Sequence, residues 1–379
     1  MSEHQYVHFI ALDKPLDEKQ LEYMETQSSR AEITKWDFTN EYHYGDFRGN
    51  AKEMLRRGYD VHLHFANFGI RKLMFRLPGG LPWDKKTLAA YLPEDGATWH
   101  SDKSGRGGIL EIQPEADSGT FSDDMSEPHD SLEEIAPVRD LLIAGDLRVL
   151  YVIWLAMTAV HGDDEATEPP LPAGLGDLPD CVTALADFYD LGCDLLQAAA
   201  EGSPPIPKSH DADSRTAGWL AKRSKDELRE LVHRFLTEDA AGVRAETLAL
   251  IRDEGGTETW PTVERSRTFQ ELRVLGDELE DRRHQREADA KEKARRARLK
   301  KMAADPQVVI DEVEKLVSQR STTNYIKAAK TLVELGEALG PTEGPPRVQA
   351  VAESLRKKYP TLKTLISELR KHGLLGKAK

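Results

Sequence analysis

Hydrophobic positions change period along this chain. Tyr6 to Leu12 (YVHFIAL) has strand composition, and 17–29 follows as a helix, with Leu16, Leu21 and Met24 at helical spacing behind an acidic first turn. Ala31 to Tyr44 is rich in β-branched and aromatic residues and predicts a strand or bent hairpin, broken by Gly45 and Gly49. The stretch 50–67 fits two periods. Val61, Leu63 and Phe65 alternate like a strand, whereas Met54, Leu55, Tyr59, Leu63 and Ala66 fit a helix with Gly69 as its stop. The helix is preferred, because Asn67-Phe68-Gly69 has stop chemistry and Ile70 to Leu77 then begins a clear strand that Pro78-Gly79-Gly80 ends. A short helix over 84–92 and a hairpin joining 98–101 to 109–113 complete an α+β region.

Beyond Gln113 the pattern is helical, with no further strand expected. The stretch 115–130 holds Asp117, Asp123, Asp124, Glu127 and Asp130 among Ser, Gly and Pro, and predicts a mobile acidic linker because it has little to bury. Helices are expected at 132–144, 147–160, 178–189, 194–201, 216–222, 225–237 and 241–253. From Val263 to Ala304 the only Gly or Pro is Gly276, and charged residues and Ala dominate from Asp277. Without apolar a and d positions its second half predicts an exposed charged helix or tether. Asp305-Pro306 restarts the chain, and four short helices follow; Val313, Leu316 and Val317 face Tyr325, Ala328, Ala329, Leu332 and Leu335 in the pattern of a tetratricopeptide-like hairpin. The expected fold class is therefore an α+β N-terminal domain followed by mainly α-helical domains with a long charged helix. Its divisions are an α+β domain over 1–114, an acidic linker over 115–130, a helical domain over 131–260, a long charged helix over 261–304 and a C-terminal helical module over 305–379.

Composition narrows the classes. The longest apolar run, Val149 to Val160, is too short to cross a roughly 30 Å hydrocarbon core. No membrane partner is expected, and the charged first 30 residues lack the apolar core of a secretory signal, so a cytoplasmic location is expected. Cys181 and Cys193 are the only cysteines, which excludes a disulfide framework. The net charge of −14 opposes nonspecific attraction to nucleic acid over most of the surface. The sign is uneven, however: Lys291, Lys293, Arg295, Arg296, Arg298, Lys300 and Lys301 stand against Glu292 alone between 291 and 301.

Ser29-Arg30-Ala31-Glu32-Ile33-Thr34, Asn40-Glu41-Tyr42, Gly45-Asp46-Phe47, Ala66-Asn67, Leu73-Met74, Arg76-Leu77-Pro78 and Gly145-Asp146-Leu147 carry a resemblance, over nearly the whole chain, to an uncharacterised bacterial protein family. Val313-Glu314, Leu316, Tyr325, Ala328, Leu332, Leu355-Arg356, Leu365 and Gly373-Leu374 resemble the tail of bacterial SWIM zinc-finger proteins. Two cysteines cannot supply that finger's CxC and CxH ligands, so the resemblance implies a C-terminal interaction module and imports neither metal nor catalytic residue.

Candidate chemistry is sparse. His62 and His64, with Asp60 nearby, could ligate a metal on a strand, where i and i+2 share a face, but would diverge on the preferred helix. The acidic run 161–165 lacks calcium-loop spacing, and Ser104-Gly105-Arg106-Gly107-Gly108 precedes a strand, not the helix a phosphate cradle needs. No cofactor is expected. Trp36, Tyr42, Tyr44, Asp46 and Phe47 form a polar-aromatic cluster suited to a contact surface, and Tyr325 and Leu332 join them as contacts of the C-terminal module. The pattern thus favours a non-catalytic cytoplasmic adaptor that binds a protein partner through either end. The alternatives are a nucleic-acid-associated accessory protein using the stripe at 291–301 and a metal-dependent enzyme using His62 and His64.

Overall fold

The computed structural model describes residues 3–103, 107–117, 119–121, 130–207, 212–237, 240–255 and 260–376, and they form two compact units, Met1–Glu280 and Asp281–Lys379. The first unit is built on an antiparallel seven-stranded sheet. Its strands are β1 (Gln5–Ile10), β2 (Glu32–Ile33), β3 (Asp37–Tyr42), β4 (Val61–Ala66), β5 (Ile70–Leu77), β6 (Ala97–Ser101) and β7 (Gly108–Ile112). They lie in the order β2-β3-β1-β4-β5-β7-β6.

Both faces of the sheet are covered, and this explains the ambiguous stretch at 50–67. On one face Val7, Phe9 and Phe38 pack with Met24 of α1 (Glu18–Glu25) and with Met54 and Leu55 of α2 (Ala51–Arg57). On the other, Val61, Leu63, Phe65, Leu73 and Phe75 pack with the apolar helices that follow. A strand buried on both sides loses the alternation that distinguishes strands from helices. The preferred helix over 50–67 is therefore corrected: it stops at Arg57, and Val61–Ala66 is the strand β4, between β1 and β5.

After α3 (Lys85–Tyr91) and the β6–β7 hairpin come α4 (Ser131–Ile135), α5 (Val138–Ala144) and α6 (Leu147–His161). Gly145 ends α5 with a left-handed φ of 88°, and Asp146 caps α6 by accepting from the Arg148 amide at 3.0 Å. From Leu147 to Thr158 every residue of α6 is buried. Around it pack α7 (Asp180–Phe188) and α8 (Cys193–Ala200), whose apolar side chains share one core with the sheet. The expected division at 115–130 is thus not a boundary between separately cored domains; residues 118 and 122–129 of that stretch lie outside the described residues. Strands also recur after Gln113, against expectation. β8 (Leu171–Pro172) pairs with β9 (Thr262–Val263), on either side of α9 (Ala212–Leu220), α10 (Lys225–Thr237) and α11 (Ala240–Gly255). The long helix α12 (Phe269–Ala304) accordingly starts at a Thr268–Glu271 capping box, not at Val263.

The second unit has its own core. Here α13 (Pro306–Ser318) and α14 (Thr322–Ala338) form the expected hairpin, with α15 (Gly340–Lys358) and α16 (Lys363–Lys371) also packed on α14. The end of α12 belongs to this unit. Met302 is buried in its core, and Arg295 and Arg298 pair with Glu337 and Glu334 of α14 at 2.6 and 2.7 Å. A free tether over the whole charged segment is therefore corrected, because burial and interhelical ion pairs seat its last turns. No helix of the described residues is long and apolar enough to cross a membrane.

Candidate functional site

Five elements of the first unit, β1, β3, α4, α5 and α11, converge on a cleft of about 450 Å³ lined by Ile10, Leu12, Asp13, Trp36, Asp37, Glu133, Ala136, Pro137, Asp140 and Arg244. The β2–β3 turn sets one wall. The Thr34 hydroxyl accepts from the Trp36 and Asp37 amides at 3.0 and 2.8 Å, and the Trp36 carbonyl accepts from the Ala11 amide at 2.8 Å. Trp36 is thereby held 46% exposed, beside Leu12 at 40%. Both are large apolar side chains left open to solvent at one cleft.

An ion network underlies the opposite wall. Arg139 of α5 is 2% exposed and donates to Asp13 at 2.7 and 3.1 Å, to the Arg76 carbonyl at 2.7 Å, and lies 3.4 Å from Asp60. Asp60 accepts in turn from the Leu12 and Asp13 amides at 2.8 and 3.2 Å, which fixes the lip of the cleft. Burial raises the Asp13 carboxyl above its ordinary range, with Arg139 opposing and Asp60 adding to the rise. At the rim Arg244 of α11 pairs with Asp140 at 2.9 Å.

With Asp13 paired to Arg139 and Asp140 to Arg244, Asp37 and Glu133 are left as the negative charge of the lining. A buried neighbour registers this field. The Tyr6 hydroxyl is pushed up to about 12, first by burial and then by Glu41, Asp130, Asp37 and Glu133. Such a cleft favours a cation, and an exposed indole adds a face for one.

The histidine pair sits elsewhere. On β4 the two rings do share a face, but His62 is fully buried, stacked on Phe9 with centroids 3.9 Å apart, and its Nδ1 bonds the His8 carbonyl at 3.1 Å. Burial holds it well below 6.5 and keeps it neutral. His64 Nε2 meets Gln5 Oε1 at 3.0 Å, Gln5 donates to Asp46 at 2.8 Å, and burial with Lys72 lowers His64 to about 4. Asp60 is engaged with Arg139 instead. Among the described residues no group of three or more His, Cys, Asp and Glu side chains converges as a metal site. Farther along this face, Glu111 takes Lys52, Lys72 and His100 at 2.6, 2.7 and 2.6 Å. Burial works against its charge, but the hydrogen bonds from both lysines outweigh it and hold the carboxyl at about 2.

The proposed contact cluster divides. Trp36 lines the cleft, and Tyr44 is 82% exposed, with Asp46 exposed as well. Tyr42 is buried, and Phe47 is half-buried against the α1–α2 core. Tyr325 and Leu332 are likewise corrected, at 5% and 0% exposure inside the C-terminal core. Sequence reasoning missed Leu12, Asp13, Asp37, Glu133, Asp140 and Arg244, which carry no motif and meet only through tertiary packing. Comparison with family models, with curated proteins and with solved structures finds no match, so geometry and chemistry alone define the site.

Proposed function

We propose that the protein is a non-catalytic binding protein whose first unit captures a basic side chain, arginine or lysine, of a protein partner. The observation that carries this reading is the exposed Trp36 set beside the carboxylates of Asp37 and Glu133 at one cleft. A guanidinium or ammonium over the indole gains ~0.5–2 kcal/mol, more as water is excluded. Its stem would lie against Leu12, and Asp37 and Glu133 would take the charge. The buried carboxylates beneath the cleft support a binding role over catalysis, because Asp13 and Asp60 are both held by Arg139. Free Cys181 and Cys193 fit a reducing, cytoplasmic setting.

Fluorescence titration of the full chain with arginine- and lysine-containing peptides tests this. Binding should quench tryptophan emission, weaken about tenfold in Trp36→Ala and in Asp37→Asn/Glu133→Gln, and vanish for peptides with citrulline in place of arginine. Equal affinity for neutral and basic peptides would overturn it.

A further inference from the structure

The two units carry opposite charge. Met1–Glu280 has 29 Lys and Arg against 53 Asp and Glu, or −24, whereas Asp281–Lys379 has 23 against 13, or +10. The whole-chain value of −14 conceals a strongly basic second unit.

Within it, α12 has a fixed rotation about its own axis. Arg295 and Arg298 are turned to α14 by their pairs with Glu337 and Glu334, and Met302 follows into the core on the same side. Helical geometry then puts Arg286, Lys293 and Lys300 on the opposite side. These three repeat every seven residues, so they form one line with about 10 Å between neighbours. All three are exposed and have no ion-pair partner among the described residues. Nearby acids are already engaged: Glu287 by Arg283 at 3.3 Å, Asp289 by Gln285 at 2.8 Å, and Glu292 by Arg296 at 2.7 Å.

From this arrangement we infer that the outer face of α12, through Arg286, Lys293 and Lys300, contacts the phosphate backbone of duplex nucleic acid independently of base sequence. The proposal concerns a different surface and ligand from the cleft of the first unit and stands apart from it. Evenly spaced cations on a rigid rod suit a phosphate backbone, whose affinity comes from counterion release. Between Asp281 and Ala304 there is no Phe, Tyr or Trp, so the face has nothing on which unpaired bases could stack, which disfavours single strands. It also lacks the apolar half with which an amphipathic helix enters a lipid surface.

The test is binding of the full chain to a labelled 20-base-pair DNA duplex of arbitrary sequence, by fluorescence anisotropy from about 50 to 200 mM salt. Three phosphate contacts predict a slope of log K against log salt near −2.7, or about fortyfold weaker binding across that range. Arg286→Gln/Lys293→Gln/Lys300→Gln should abolish most of the slope with unchanged helical circular dichroism. Arg286→Lys/Lys293→Arg/Lys300→Arg should keep it. A slope unaffected by the glutamine changes would overturn the proposal. So would tighter binding to a single strand of the same length, binding to phosphatidylserine vesicles without binding to the duplex, or low-salt self-association through this face that leaves the duplex unbound.

Discussion

Arg139→Met exposes the energetics beneath the cleft. The wild-type guanidinium is buried between the half-buried Asp13 and the buried Asp60, and it also holds the Arg76 carbonyl at 2.7 Å. Methionine preserves much of the volume but leaves two carboxylates without their shared cation, and breaking a buried pair from one side costs roughly 3–5 kcal/mol. For a unit of 280 residues the unfolding entropy is about 0.6 kcal/mol per degree, so its melting temperature should fall by about 5–8 °C. The loss should depend on pH in a definite direction. Folded Asp13 holds its proton more tightly than the unfolded chain does, so its contribution is most favourable in acid and is lost as pH rises through the raised value. Removing Arg139 removes the influence that lowers Asp13 and raises it further, so the deficit should be greatest at pH 7 and shrink towards pH 4. Calorimetry at both pH values measures it, and Arg139→Met/Asp13→Asn/Asp60→Asn should recover much of the stability because no uncompensated charge remains. A deficit that is the same at pH 4 and pH 7, or a triple variant no more stable than the single one, would refute the reasoning.

Other perturbations probe separate parts of the fold. His62 and His64 are both lowered in the folded chain, so the stability they confer is full above about 6.5 and is lost as pH falls towards 4; His62→Phe/His64→Gln should flatten urea-denaturation midpoints over that interval. Tyr151 donates to the buried Glu168 at 2.5 Å while Arg267 holds the same carboxylate at 2.7 Å, so Tyr151→Phe should cost about 1.5–3 kcal/mol in urea unfolding, the range for a hydrogen bond to a charged group, and Arg267→Met about 3–5 kcal/mol, because it leaves the buried carboxylate without its cation. A side chain at Gly344 of α15 would overlap the Gly336 carbonyl of α14, so Gly344→Ala should destabilise the second unit by about 1–3 kcal/mol, read as an earlier loss of amide protection in α13–α16.

Local physics made much of the architecture legible in the residues. The apolar run at Val149 to Val160 required a buried helix, and Asp305-Pro306 marked the start of α13 because a capping carboxylate and a proline both suit a helix N-terminus. The facing apolar stripes of α13 and α14 could be paired for the same reason, since side chains three and four residues apart lie on one face. Position in the sheet was not a local property. β4 lies between two strands with helices over both faces, so His62 occupies a dry core that its neighbours in sequence do not announce. Trp36 stood out in the residues as part of an aromatic stretch, yet the cleft it lines needed Asp13, Glu133, Asp140 and Arg244 from segments up to 231 positions apart. In the same way the basic stripe could be counted along the chain, but only the pairs from Arg295 and Arg298 to α14 decided which bases turn inward and which are left to solvent. Periodicity reports the side of an element that is apolar; packing between distant segments decides what that side meets and where opposite charges are brought together.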